Sequence, residues 1–232
     1  MVSAARASFR LSPSSDAAVF PRACESLEEA AAATPADLGA ALAFALDRLA
    51  VEDAAGRPVA LVLVRSWLRE RGRPLARGIA RRGLPPDRLI FVRAEREAEA
   101  LWALEEALKS GAVAGGLVTA ERAGLTATRR LDFAARTGGA AGVVLRTAGE
   151  GELSAARRRW RIAALASGPN GLDAAAPGLS RLRAELVRRR DGPPGAWDLE
   201  QDDETGRLRL DAGLADQRVD AQPGRSRPAH AA

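Results

Sequence analysis

The sequence predicts an α/β protein: a mainly parallel sheet with helical crossovers, followed by antiparallel C-terminal strands. Three observations carry this. From Val59 to Arg146, short apolar runs of strand length recur with helical segments between them. Those runs do not alternate in polarity, as expected of strands buried on both faces. Beyond Arg157 the pattern changes to strict alternation, the mark of half-exposed and usually antiparallel strands.

Taken in order, Ala23 to Glu28 is a short candidate strand. Thr34-Pro35-Ala36-Asp37 then reads as a helix start, with Thr34 as N-cap and Pro35 in the first helical position. Leu38, Leu42, Ala45, Leu46 and Leu49 follow at helical spacing, until Gly56-Arg57-Pro58 breaks the chain. Val59 to Val64 is a buried strand, Leu75 to Arg82 a short helix closed by Gly83, and Leu89 to Val92 a second strand. Glu95 to Lys109 is the clearest helix, with Ala98, Leu101, Trp102, Leu104 and Leu108 on or beside one face. Its acids lie early and Lys109 late, in keeping with the helix dipole. Packing on the sheet is expected through Leu101 and Leu108. Gly116 to Thr119 is a third strand, Thr126 caps a helix to about Arg136, and Ala141 to Arg146 is a fourth strand after the Gly138-Gly139 turn. A repeated strand–helix order implies parallel strands with right-handed crossovers.

The later strands show period two. Arg158, Trp160 and Ile162 alternate with Arg157, Arg159 and Arg161, and Leu182, Ala184 and Leu186 alternate with Arg181, Arg183 and Glu185. Ala196 to Glu200 and Arg207 to Leu210 are further short candidates, and Ser167 to Gly178 is a loop. The expected organisation is a flexible segment over 1–18, one domain over 19–211 and a disordered tail over 212–232.

Composition narrows the function. With 47% hydrophobic and only 4% aromatic residues, the core must be mostly Ala, Leu and Val. No apolar run is long enough to span a membrane and no leader of signal type stands at the start, so a cytoplasmic protein is expected. One cysteine, Cys24, and one histidine, His230, make a thiol–imidazole pair or a zinc cluster improbable partners in chemistry. No catalytic, metal or cofactor-binding residue is expected. Net charge is +5 and Lys109 is the only lysine, so the basic character is arginine. Arginine forks onto phosphates and carboxylates, which points to nucleic acid or an acidic partner. A GC-rich genome would give the same composition.

A phosphate-gripping loop needs a glycine-rich turn with a lysine between strand and helix. Lys109-Ser110 ends a helix instead, and Gly138, Gly139 and Gly142 follow a helix and precede a strand. The third strand ends in Thr119-Ala120 without an aspartate, and Glu121 comes too late. The candidate binding residues are Arg157, Arg159, Trp160 and Arg161. On a strand the three arginines share a face that could meet phosphates, with Trp160 stacking on bases if exposed. The competing reading is a core tryptophan beneath a solvated charged face. Arg188-Arg189-Arg190 carries the same ambiguity.

Several segments together resemble the ImuA family, RecA-like accessory proteins of bacterial damage-induced mutagenesis. They are Leu89-Ile90-Phe91-Val92-Arg93-Ala94, Glu99 through Gly111 around Trp102, Leu125 through Leu131, Ser154 through Trp160-Arg161, and Trp197-Asp198-Leu199-Glu200. The resemblance implies a RecA-like, P-loop-type core whose nucleotide loop is degenerate. Ala30 to Gly39 stands where the phosphate loop would lie, without its first glycine, its lysine or the adjoining hydroxyl. It also implies an adaptor role in SOS-induced translesion synthesis, with the polymerase-like ImuB and an error-prone polymerase as partners. RecA and single-stranded DNA are further candidate partners. Two other roles fit the resemblance: an SOS cell-division inhibitor acting by protein binding, and a weakly nucleotide-binding ATPase relative.

Overall fold

The computed structural model describes residues 20–50, 55–147, 153–173 and 175–211. The expectations for 1–18 and 212–232 lie outside them. The elements run β1 (Leu27–Ala32), α1 (Leu38–Leu49), β2 (Val59–Val64), α2 (Arg65–Arg71), α3 (Ala76–Ala80), β3 (Leu89–Ala94), α4 (Glu97–Lys109), β4 (Gly115–Thr119), α5 (Leu125–Gly138), β5 (Ala141–Arg146), β6 (Arg158–Leu165), β7 (Arg181–Arg189), β8 (Gly195–Gln201) and β9 (Leu208–Leu210).

The nine strands of the described residues join one sheet in the order β3-β2-β4-β5-β1-β6-β7-β8-β9. Every pairing from β3 through β6 is parallel. The pairings β6–β7, β7–β8 and β8–β9 are antiparallel. This is the predicted class, a mainly parallel sheet continued by antiparallel C-terminal strands. The apolar runs become central strands for the reason their sequence suggests: all six residues of β2 and all five of β4 are buried.

Two apolar layers sandwich the sheet. On one side α1 packs Ala41, Phe44, Ala45 and Leu49 against Leu61, Leu117, Val143, Trp160 and Ile162. On the other, Leu104 and Leu108 of α4 and Leu131 and Ala135 of α5 pack against Val62, Val118 and Val144. The α4 and α5 helices contact β1 through β5, so among the described residues the corresponding face of β6 to β9 carries no helix. Gly138 makes the close fit of the helix pair possible: a Cβ there would stand 1.8 Å from the Leu108 carbonyl oxygen. Arg57 then donates to the carbonyls of Gly111 and Gly139, at 3.3 and 3.2 Å, tying down the ends of both helices.

Several sequence expectations shift. The first strand is Leu27–Ala32, later than Ala23 to Glu28, because it is completed by partners on either side, β5 and β6, that are remote in sequence. The first helix does begin at Thr34-Pro35, with one 3-10 turn at Pro35–Asp37 before α1. The helix α2 follows β2 directly and has no counterpart in the sequence reading. The α5 helix is capped by Gly124, not Thr126. The sheet-facing residues of α4 are Ala100, Leu104 and Leu108, each 0% exposed. Leu101 lies at the margin of the core, and Trp102 is 60% exposed. The 3.6-residue repeat places Leu104 and Leu108 one above the other, and Trp102 nearly opposite.

Candidate functional site

The β1–α1 connection, within the Ala30 to Gly39 stretch, is short and built around one carboxylate. The Asp37 carboxylate accepts the Thr34 backbone N–H at 2.9 Å and the Thr34 hydroxyl at 2.7 Å through one oxygen. Its other oxygen accepts the Ala164 N–H at 2.8 Å. The Ala164 N–H and then the Thr34 hydroxyl hold the Asp37 carboxyl below the usual carboxylate range. Asp37 precedes α1, but its side chain bonds none of the first-turn amides of that helix.

At the end of β4, Thr119 accepts the Val64 N–H at 3.2 Å. Glu121 lies in the following loop and takes the Thr147 N–H at 2.7 Å. Lys109 ends α4, and the neighbouring Ser110 hydroxyl donates to the Ala107 carbonyl at 2.7 Å. Among the described residues, no group of three or more His, Cys, Asp or Glu is placed to hold a metal ion.

The structure places the four candidate binding residues at the start of β6, on opposite faces. Arg159 and Arg161 lie on the helix-free continuation of the α4–α5 side, and Arg157 directly precedes the strand. Each has a carboxylate nearby. Arg159 donates to Glu29 at 2.8 Å and Arg161 to Glu185 at 2.7 Å. Arg157 stands 3.8 Å from Asp132. Alternation within β6 thus places Arg159 and Arg161 on one face, with both charges engaged.

Trp160 requires a correction. It is 1% exposed and faces α1, so it offers no ring for stacking on a base. Its ring packs 5.0 Å from Phe44, 5.8 Å from Phe20 and 5.9 Å from Trp197, between centroids. Burial of so large an apolar ring outweighs any pull of its arginine neighbours toward solvent. In the second cluster, Arg189 donates to Asp191 at 3.0 Å, while Arg188 and Arg190 are exposed.

Beneath the stripe lies a cluster that the sequence reading missed. Glu28 and Glu29 are adjacent in β1, both nearly fully buried, and point to opposite faces of the sheet. Glu28 accepts Arg48 through two bonds of 3.0 and 2.7 Å, Arg158 at 3.3 Å and the Trp160 indole N–H at 2.8 Å. Glu29 accepts Arg146 at 2.9 Å and Arg159 at 2.8 Å. Arg146 also donates to the Ala123 carbonyl at 2.8 Å, joining β5 to the start of α5. The available signal was two glutamates in an otherwise apolar segment, Leu27-Glu28-Glu29-Ala30. Their partners are too far along the chain to be read from spacing.

Cys24 lies beside this cluster, its sulfur 2.8 Å from the Ser26 hydroxyl and 3.4 Å from Glu28. Burial first, and then the Glu28 charge, pushes its thiol pKa up, the reverse of what a reactive thiolate needs.

The fold thus defines a mixed α/β protein with a parallel core sheet, an antiparallel extension and charge-paired arginines across the junction. Protein ImuA from two strains of Caulobacter vibrioides is 43% identical to it over 169 residues, covering 67% of this chain and 68% of the relative. The chain belongs to the ImuA family. No protein-family model matches it. A crystal structure of SulA from Pseudomonas aeruginosa overlaps 52% of this chain and 96% of its own, at 25% identity and a TM-score of 0.38. No helix among the described residues is long and apolar enough to cross a membrane.

Proposed function

We propose that this protein is a non-catalytic adaptor in SOS-induced mutagenesis, acting in translesion DNA synthesis by binding other proteins. The observation that carries the reading is its 43% identity to Protein ImuA across two thirds of both chains. The Ala30 to Gly39 stretch supports the non-catalytic part, because it has no lysine and no glycine before Gly39 with which to grip a phosphate. Expected partners are the polymerase-like ImuB and an error-prone polymerase, with RecA as a further candidate.

Direct contact with single-stranded DNA belongs to the same proposal. Arg157, Arg159 and Arg161 supply the shared face, with Trp160 now acting as the buried support beneath it. Contact there would require phosphates to compete with Glu29, Glu185 and Asp132 for the guanidiniums. That competition predicts weak, strongly salt-dependent binding.

The test is capture of the tagged protein from DNA-damaged cells, with bound proteins identified. Recovery of the translesion polymerase components is expected. Recovery of cell-division proteins in their place would favour the division-inhibitor role, and sustained magnesium-dependent ATP turnover by the purified protein would favour an ATPase.

A further inference from the structure

Among the described residues, a run of arginines without ion-pair partners stands in the crossover that leads to the sheet edge. The β2–β3 crossover, residues 65–82, holds seven arginines against one glutamate, Glu70. Arg69, Arg71, Arg73 and Arg77 are all exposed, and among the described residues none has a carboxylate within ion-pairing reach. This contrasts with Arg157, Arg159 and Arg161, each of which has one. Leu75, in the middle of the run, is 74% exposed.

The crossover returns to β3, which among the described residues ends the sheet and pairs only with β2. Among the described residues, the outer backbone edge of β3 therefore has no strand beside it. Ile90 and Phe91 point to opposite faces of this strand, 44% and 47% exposed, and Arg93 is exposed beyond them. Arg65, at the start of the crossover, donates to Glu95 just past the end of β3 at 2.7 Å. Trp67, Leu68, Ile79 and Leu84 pack the crossover into the α1-side core. The crossover thus lies on the side of the sheet that Phe91 faces, with α2 against β2 and α3 against the turn that leads into β3. An edge with free donors and acceptors and apolar side chains on both faces is a template for another strand.

We propose that β3 and its flanking arginines dock an extended acidic segment of a protein partner, which adds to the sheet as a further strand. Backbone bonds to β3 would supply affinity. Apolar side chains of the segment would cover Ile90 and Phe91, and its carboxylates would meet Arg69, Arg71, Arg73 and Arg77. A second copy of this chain fits poorly. Antiparallel pairing of two β3 strands about Phe91 sets Asp87 opposite Glu95, and pairing about Val92 sets Arg88 opposite Arg96, like charge against like in both. A nucleic acid would use the arginines but not the backbone edge. The proposal does not depend on the mutagenesis reading.

The experiment uses the full chain with three fluorescent probes: a short peptide alternating glutamate and valine, its lysine counterpart, and a thymidine oligonucleotide. Anisotropy should show binding of the glutamate peptide over the lysine peptide, weakened at least about tenfold by R69E/R71E/R73E/R77E. Ile90→Lys, an exposed single change, should weaken it as well and serves if the quadruple variant does not fold. Hydrogen exchange should slow at the amides of Leu89 to Ala94 when the glutamate peptide binds. No peptide binding at low salt would overturn the proposal and leave the arginines as guards against edge aggregation. Peptide binding without protection of β3, or oligonucleotide binding that Ile90→Lys leaves unchanged while the peptide does not bind, would overturn it in favour of a plain polyanion surface.

Discussion

Trp160 gives its indole N–H to Glu28 at 2.8 Å, and that one bond turns a candidate base-stacking residue into part of a buried ion cluster. Arg48 completes the arrangement from the opposite direction, its guanidinium 5.5 Å from the Trp160 ring centre while it grips the same carboxylate. Aromatic ring, arginine and glutamate hold α1, β1 and β6 together at the junction of the parallel and antiparallel halves.

Removing the carboxylate should expose how much depends on it. Glu28→Ala leaves the Arg48 and Arg158 guanidiniums buried with less counter-charge, a situation that costs about 3–5 kcal/mol. Urea titration should show the loss, with Arg158 partly supported by Asp191 at 2.8 Å. A midpoint like that of the unaltered protein would mean that the cluster is hydrated and contributes little.

The α4 helix offers a paired comparison. Leu104→Ala should destabilise by about 2–5 kcal/mol, since Leu104 is 0% exposed on the sheet. Leu101→Ala should cost distinctly less, because Leu101 only borders the same core. Equal losses in denaturant titrations would place the helix in a different rotation.

Asp37 predicts a pH dependence. Its folded-state pKa is depressed, chiefly by the Ala164 N–H and then by Thr34, so its contribution is complete above the ordinary carboxylate range. That contribution is lost as pH falls through the lower, folded-state value. Thermal melts of Asp37→Asn should therefore lie below the unaltered protein at neutral pH and converge with it under acid conditions. A gap that stays constant with acidification would assign the effect to something other than titration.

Cys24 should behave as a sluggish thiol. Its raised pKa keeps it protonated at neutral pH, so alkylation by iodoacetamide should be slower than for free cysteine and should accelerate on unfolding. Rapid modification of the native protein would contradict the burial that sets this pKa.

Much of the fold was legible because local pattern and burial agree. Val59–Val64 and Ala141–Arg146 have the predicted boundaries, since central parallel strands are apolar throughout and end at turn residues. The switch to period two correctly marks where pairing turns antiparallel, at β6. What stayed hidden depends on distant partners. Leu27–Ala32 looks unlike a central strand because two of its residues are glutamates, and only Arg48, Arg146, Arg158 and Arg159 make those tolerable inside. For the candidate site, alternation gave the shared face of the arginines. It could not tell which face the core would claim, and Phe44 and Trp197 decide that for Trp160. Arg69, Arg71, Arg73 and Arg77 were not legible as a site because their meaning lies in what they lack among the described residues, a carboxylate partner, and in the sheet edge that follows them.

The central claim is that this chain serves damage-induced mutagenesis as an adaptor. The most direct test is the frequency of DNA-damage-induced mutation in a strain deleted for its gene, with the error-prone polymerase present and no paralogue. The account predicts a clear fall in induced mutation, restored by the gene in trans, with cell division during damage largely normal. Unchanged induced mutation in the clean deletion, with filamentation on overexpression, would contradict it.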